Sequence, residues 1–183
     1  MIRKAITCMT IALSTMMLSA KEFPIVNSNI TEEEVEAAQK AWGAALVQIS
    51  TDFKDGGFEK AKTTANAVLD AAYAYNLGAV LFKPTLTVAP QTFRTTKEGA
   101  LAYFVGGDPN FPDKGFAIKP WTKYEFENAA VHISGDVAIT MGNVRLTDDK
   151  NNVTVVDKTW GFKKDDEGKL RIFLHHSSLP YKE

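Results

Sequence analysis

From residue 31 the apolar positions recur every three or four residues, and from residue 116 they recur every second residue. Val35, Ala38, Trp42, Ala45, Leu46 and Ile49 form one helical stripe, preceded by Thr31 and Glu34 at capping-box spacing. This predicts a helix over 31–51, broken by Asp55-Gly56-Gly57. A second stripe, Ala61, Ala65, Val68, Leu69, Ala72 and Tyr73, predicts a helix over 58–75 that Asn76-Leu77-Gly78 stops. Residues 80–88 read as a strand that Pro84 confines to an edge or bends. Thr95-x-x-Glu98 opens a shorter helix carrying Ala100, Leu101, Tyr103 and Phe104, which Gly106-Gly107 ends.

The alternating part predicts strands over 116–119, 122–133, 137–146, 153–162 and 170–178. Turn residues separate them: Ser134-Gly135-Asp136, then 148–152, then 165–168. Helices first and antiparallel strands afterwards give an α+β class, with the helices on one face of a strongly curved, mostly antiparallel sheet. Such a sheet, closed by helices, makes a cone that encloses a pocket.

The last predicted strand ends in His175-His176-Ser177-Ser178, which holds two of the chain's three histidines. Side chains alternate faces along a regular strand, so Leu170, Ile172, Leu174, His176 and Ser178 share one face. On that reading His176 and Ser178 complete an apolar inner stripe, and His175 and Ser177 support the strand from behind.

Composition narrows the function classes. The 183 residues suit one domain, and the first twenty have their own character. Arg3 and Lys4 precede an apolar stretch from Ala5 to Leu18, and Leu18-Ser19-Ala20 offers a small-residue cleavage site. We read 1–20 as a signal peptide, 21–183 as a single domain, and the protein as exported, to a periplasm or an equivalent compartment. Cleavage would remove Cys8, the only cysteine, and move the formal charge from -1 to -3. No basic stripe suggests nucleic acid, and no stretch after residue 20 has the length and apolarity of a membrane span.

Zinc catalysis normally takes three converging protein ligands. Three histidines in all, two of them adjacent on one strand, do not supply that set, and we expect neither a metal nor another cofactor. There is no Gly-x-Ser-x-Gly elbow for a serine nucleophile and no glycine-rich phosphate loop. General acid–base work on a small neutral substrate remains, with His176 carrying a suitable intrinsic pKa. His176 also reads as a strand-end histidine satisfied by backbone partners, and Tyr103 as a core aromatic. Lys158 and Arg145 lie on central strands and stay unassigned between pocket and surface.

Four ordered blocks carry a resemblance over nearly the whole chain after residue 20. They are Val80-Leu81-Phe82-Lys83-Pro84-Thr85, Gly99 to Gly107, Gly115-Phe116-Ala117-Ile118 with Pro120-Trp121, and Leu174 to Tyr181. Together they are similar to the iota class of carbonic anhydrases. The helix-then-sheet order with a terminal His-x-Ser resembles the nuclear-transport-factor-2-like superfamily. The segment Asn143 to Thr147 resembles the association domain of calcium/calmodulin-dependent kinase II. The iota resemblance implies reversible hydration of carbon dioxide to bicarbonate without a metal, by a homodimer. It also implies a site of Thr85, Tyr103, His176 and Ser178, with His175 and Ser177 as the pair one register away. Phe126 and Trp160 are expected to wall the pocket, with His175 nearby.

Two other readings compete. A non-catalytic member of the superfamily would bind a small anion or only oligomerise. A cyclase- or isomerase-like enzyme would need an inward carboxylate, and no acidic residue sits on an inner stripe.

Overall fold

The computed structural model describes residues 27–181, so the expected signal peptide lies outside the described residues. A long helix α1 (Glu32–Ala72) runs first, and the Thr31–Glu34 capping box forms as the sequence predicts. The two expected helices join into this one element, bent at Gly57 by its positive φ of 73°. Asp52 holds the bend by accepting from Thr64 and pairing with Lys60 on the far side. A 3-10 turn (Ala74–Asn76) leads into strand β1 (Leu81–Lys83). Pro84, which cannot donate to a ladder, ends β1 well short of the predicted 80–88.

Helix α2 (Lys97–Val105) is capped by Thr96 rather than Thr95, with the Thr96 hydroxyl accepting from Gly99 N. Residues 116–119, expected as a strand, form a turn instead. The backbone N–H groups of Phe116 and Ala117 bond to Tyr103 and Phe104 carbonyls of α2, so no strand partner is needed.

Four longer strands follow: β2 (Trp121–Ser134), β3 (Val137–Asp148), β4 (Val153–Lys164) and β5 (Leu170–Ser178). The sheet order is β1-β5-β4-β3-β2. All pairings are antiparallel except β1 with β5, which makes the sheet mixed. Helix α1 packs across the inner face, where Trp42, Leu46, Ile49 and Leu69 meet Val144, Val156, Phe162 and Ile172 in the core.

The ladder between β4 and β5 is irregular at one point. Phe162 pairs with Ile172, while Gly161 pairs with Leu174, so Phe173 is an extra residue on β5. A bulge of this kind shifts the alternation by one position. Ile172, His175 and Ser177 therefore face inward and are buried, and His176 is exposed on the outer face. The parity expected for His176 and Ser178 is thereby corrected: regular alternation does not survive the bulge.

Candidate active site

Three elements meet at the inner end of β5. Parallel pairing aligns Phe82 with His175 and Lys83 with His176, which carries the chain after β1 past Ser177. The Thr85 hydroxyl there donates to Ser177 Oγ at 2.6 Å, and Lys83 Nζ donates to the Ser177 carbonyl at 3.2 Å. The Phe82 ring stacks on His175 with centroids 4.4 Å apart and meets Tyr103 edge-on at 5.6 Å. Tyr103 in turn stacks on Phe116, which the turn after α2 presents to it.

His175 has a partner at each ring nitrogen. Tyr73 Oη lies 2.8 Å from Nδ1, and Lys158 Nζ lies 2.7 Å from Nε2. Tyr73 also accepts from Trp42 Nε1 at 2.9 Å. The Lys158 ammonium position lies over two indoles, 4.6 Å from the Trp42 centroid and 5.4 Å from that of Trp160. Helix α1 supplies Trp42 from its N-terminal part and leads directly to Tyr73, its C-cap, so α1 fixes both.

Burial dominates the electrostatics. Loss of water pushes the His175 pKa well below the usual imidazole value, and the nearby Lys158 and His176 charges push the same way. The same desolvation brings the Lys158 pKa down to about 7. It also raises the Tyr73 and Tyr103 phenols, so both stay protonated at neutral pH.

Two donors in this region lack protein acceptors. Tyr103 Oη and Trp160 Nε1 are buried and make no hydrogen bond. Thr85 and the Leu86 backbone lie close enough to the phenol to lower its pKa in part, but neither meets hydrogen-bonding geometry with it. Buried polar groups are nearly always paired, so an unpaired donor beside a hydroxyl pair marks a place where a ligand oxygen fits. Tyr103 also lines a cleft of about 320 Å³, shared with Leu86, Val88, Asp113, Lys114 and Lys119, which gives access from outside.

The structure thus gathers Thr85, Tyr103, Trp160 and His175. His176 and Ser178 lie on the other face of the sheet, and Ser177 takes the place expected of Ser178. Phe126 sits on β2, with three strands between it and β1, and lines a separate groove with Glu32, Val35 and Glu36. Its expected role as a wall of this site is corrected, because sheet order puts β2 at the edge opposite β1. The sequence reading also passed over Trp42, Tyr73 and Phe82, which periodicity marks only as core. Lys158, unassigned from the sequence, faces inward with Val156, Trp160 and Phe162, and that alternation is the signal that marks its side. Among the described residues no group of three or more His, Cys, Asp or Glu side chains is placed to hold a metal ion.

A family model described as "Metal-independent carbonic anhydrase" matches residues 33–179. This chain belongs to that family. A "Metal-independent carbonic anhydrase" from Nostoc sp. (strain PCC 7120 / SAG 25.82 / UTEX 2576) is 60% identical over 166 residues, covering 90% of this chain and 81% of the relative. A crystal structure of the iota-carbonic anhydrase from a cyanobacterium, complexed with bicarbonate, superposes with a TM-score of 0.87 at 60% identity. It covers 89% of this chain and 100% of that one. A putative calcium/calmodulin-dependent kinase II association domain from Xanthomonas campestris shares the fold, with a TM-score of 0.53 at 22% identity over 89% of this chain and 97% of that one. The metal-independent carbonic anhydrase fold seen here is nuclear-transport-factor-2-like, α+β, with a curved sheet left open between its edge strands. In this setting the paired hydroxyls of Thr85 and Ser177 and the free phenol of Tyr103 are the polar groups that a small oxygen-bearing ligand would meet.

Proposed function

We propose that this protein catalyses the reversible hydration of carbon dioxide to bicarbonate with no metal, at the junction of Thr85, Ser177 and Tyr103. The observation that carries the reading is the buried Tyr103 hydroxyl, which has no protein partner and lies beside the Thr85–Ser177 hydrogen bond. Family membership and the bicarbonate complex of the cyanobacterial relative support the same substrate pair.

Carbon dioxide enters by the cleft that Tyr103 lines and rests against Phe82, Phe116 and Trp160. Thr85 donates to Ser177, which leaves the Thr85 oxygen free to accept from a water and the Ser177 hydrogen free to donate. The water oxygen attacks carbon while Tyr103 and Ser177 donate to the oxygen on which charge develops. Preorganised donors in a dry site stabilise such charge without reorganising. His175 has both nitrogens occupied, so its part is to align the relay behind Ser177 rather than to contact the water.

Stopped-flow hydration of carbon dioxide in the presence of a chelator tests the reading. Activity that survives chelation and falls in Thr85→Val and Ser177→Ala is expected. Activity that appears only on adding zinc overturns it.

Export and homodimer formation complete the proposal. The basic-then-apolar start of the chain supports export, tested by sequencing the N-terminus of the secreted form. Ile139, Met141 and Val153 are exposed on strands of the sheet, and this supports pairing through the sheet. Sedimentation of the wild type and of Met141→Glu tests that contact.

A further inference from the structure

We propose that Lys158 stands in the resting site as an uncharged amine and takes up the proton that carbon dioxide hydration releases. This rests on the carbonic anhydrase reading and names the group that completes its proton balance.

The argument begins with hydrogen-bond direction. An indole N–H only donates, so Trp42 fixes Tyr73 as acceptor at one end of the chain. Tyr73 Oη lies 2.8 Å from His175 Nδ1, the one acceptor among its contacts, so its hydrogen goes there. An imidazole that accepts at Nδ1 and is neutral carries its hydrogen on Nε2. That hydrogen points at Lys158 Nζ, 2.7 Å away. An ammonium has no lone pair to receive it, whereas an amine does. The arrangement that gives every donor of Trp42, Tyr73 and His175 an acceptor therefore has Lys158 neutral.

The surroundings agree. Lys158 is buried and forms no ion pair among the described residues. Of the titratable groups on neighbouring elements, His175 of β5 touches it, and Tyr73 after α1 lies one bond beyond. Tyr103 of α2 shares the aromatic wall through Phe82. Lys83 of β1 adds a second cation at the Ser177 carbonyl. Among the described residues no carboxylate pairs with Lys158 or Lys83, and desolvation brings the Lys158 pKa down to about 7. The two indole faces accommodate the cation once it forms, as cation–π partners.

Lys158 is also directly opposite Ser177 across the β4–β5 ladder. Side chains in such pairs leave the sheet about 5 Å apart. The Thr85–Ser177 pair and the amine therefore stand on the same face of neighbouring strands. In the step itself, the water oxygen bonds to carbon, one C=O electron pair moves onto oxygen, and one water O–H bond breaks. Its proton ends on Nζ. To receive it the amine lone pair turns away from the Nε2 hydrogen, and the new cation rests on the Trp42 and Trp160 rings. Neutral reactants and a neutral amine become bicarbonate and an ammonium, so the dry site never holds an uncompensated charge. Buffer removes the proton and resets the chain.

Lys158→Met and Lys158→Arg test this by stopped-flow hydration with chelator, across pH 5.5 to 9. Wild-type kcat is expected to rise with pH about a midpoint near 7, the pKa of the buried amine. Lys158→Met is expected to lose on the order of 100-fold in kcat, to keep KM within a few-fold, and to lose that midpoint. Lys158→Arg, which keeps a cation but cannot release its proton, is expected not to restore kcat. Rescue by arginine, or a Lys158→Met enzyme with wild-type kcat and midpoint, overturns the proposal and leaves the carbonic anhydrase reading intact. A wild type inactive in chelator removes both. NMR titration of the Lys158 side chain in the wild type needs no variant to fold. A midpoint near 7 supports the proposal, and a side chain still charged above about pH 9, as an ordinary lysine would be, overturns it.

Discussion

Gly161 on β4 lies so close to Phe173 on β5 that a β-carbon on the glycine would sit 2.7 Å from the Phe173 ring and 2.9 Å from Leu174 Cβ. Phe173 is the extra residue of the bulge, so this contact sets which side chains enter the site. Gly161→Ala is expected to destabilise the protein by about 1–3 kcal/mol through overpacking. Hydration should fall more steeply than stability predicts, because His175 and Ser177 shift with the strand. Denaturant unfolding and stopped-flow assays on the same sample separate the two effects.

The bulge also separates the two adjacent histidines. His175→Ala is expected to cost on the order of 100-fold in kcat, as removal of a group in a proton-handling chain does. His176→Ala, on the exposed face, should stay within a few-fold of wild type. Paired assays decide it: equal losses in the two variants would sink the assigned parity.

Much of the fold was legible from periodicity, and the site only in part. Helical stripes, the capping box and the four long strands follow directly from spacing. The error at His176 and Ser178 came from applying strict alternation across a strand that carries one residue too many. A signal was present, since a glycine inside a strand often marks a close approach or a bulge. Gly161 stands opposite the Phe173 bulge, and Gly142 stands opposite Asn128 at one of two irregularities in β2, where its added β-carbon would meet Glu127 O at 2.1 Å. Phe126 was misplaced for a different reason. Alternation says which face a residue takes, but only sheet order says how far it lies from another strand. Trp42 and Tyr73 were invisible as site residues because their apolar bodies fit a core stripe and only their polar tips matter.

Tyr103→Phe offers a clean dissection. The phenol oxygen bonds to no protein group, so its loss removes nothing that holds the fold. Relieving a buried unpaired hydroxyl is neutral or stabilising, by up to about 1–3 kcal/mol. Thermal stability should hold or rise while hydration falls. A drop in stability with unchanged activity would refute the assignment.

Acid should destabilise the protein through His175 and Lys158. Both have pKa values depressed on folding, so the unfolded chain binds more protons wherever pH lies between the folded and unfolded values. For His175 stability falls as pH drops below the ordinary value of 6.5. For Lys158 it falls as pH drops from 10.5 to about 7 and then levels off. Lys158→Met should remove the second slope, so that its stability relative to wild type improves steadily from pH 10 down to 7. Urea unfolding at pH steps from 5 to 10 measures both slopes. Parallel curves for wild type and variant would contradict the depressed lysine.

The strand that bears His175 and Ser177 comes last among the described residues, yet it is not an edge: β5 lies between β1 and β4. Tyr73 and Thr85 meet it across 102 and 92 residues of sequence. Until β5 is in place, β1 and β4 have no strand between them, and Tyr73 and Thr85 lack the His175 and Ser177 they meet. Activity and the closing of the sheet arrive together, when β5 slides into its slot, so turnover itself reports that folding has finished.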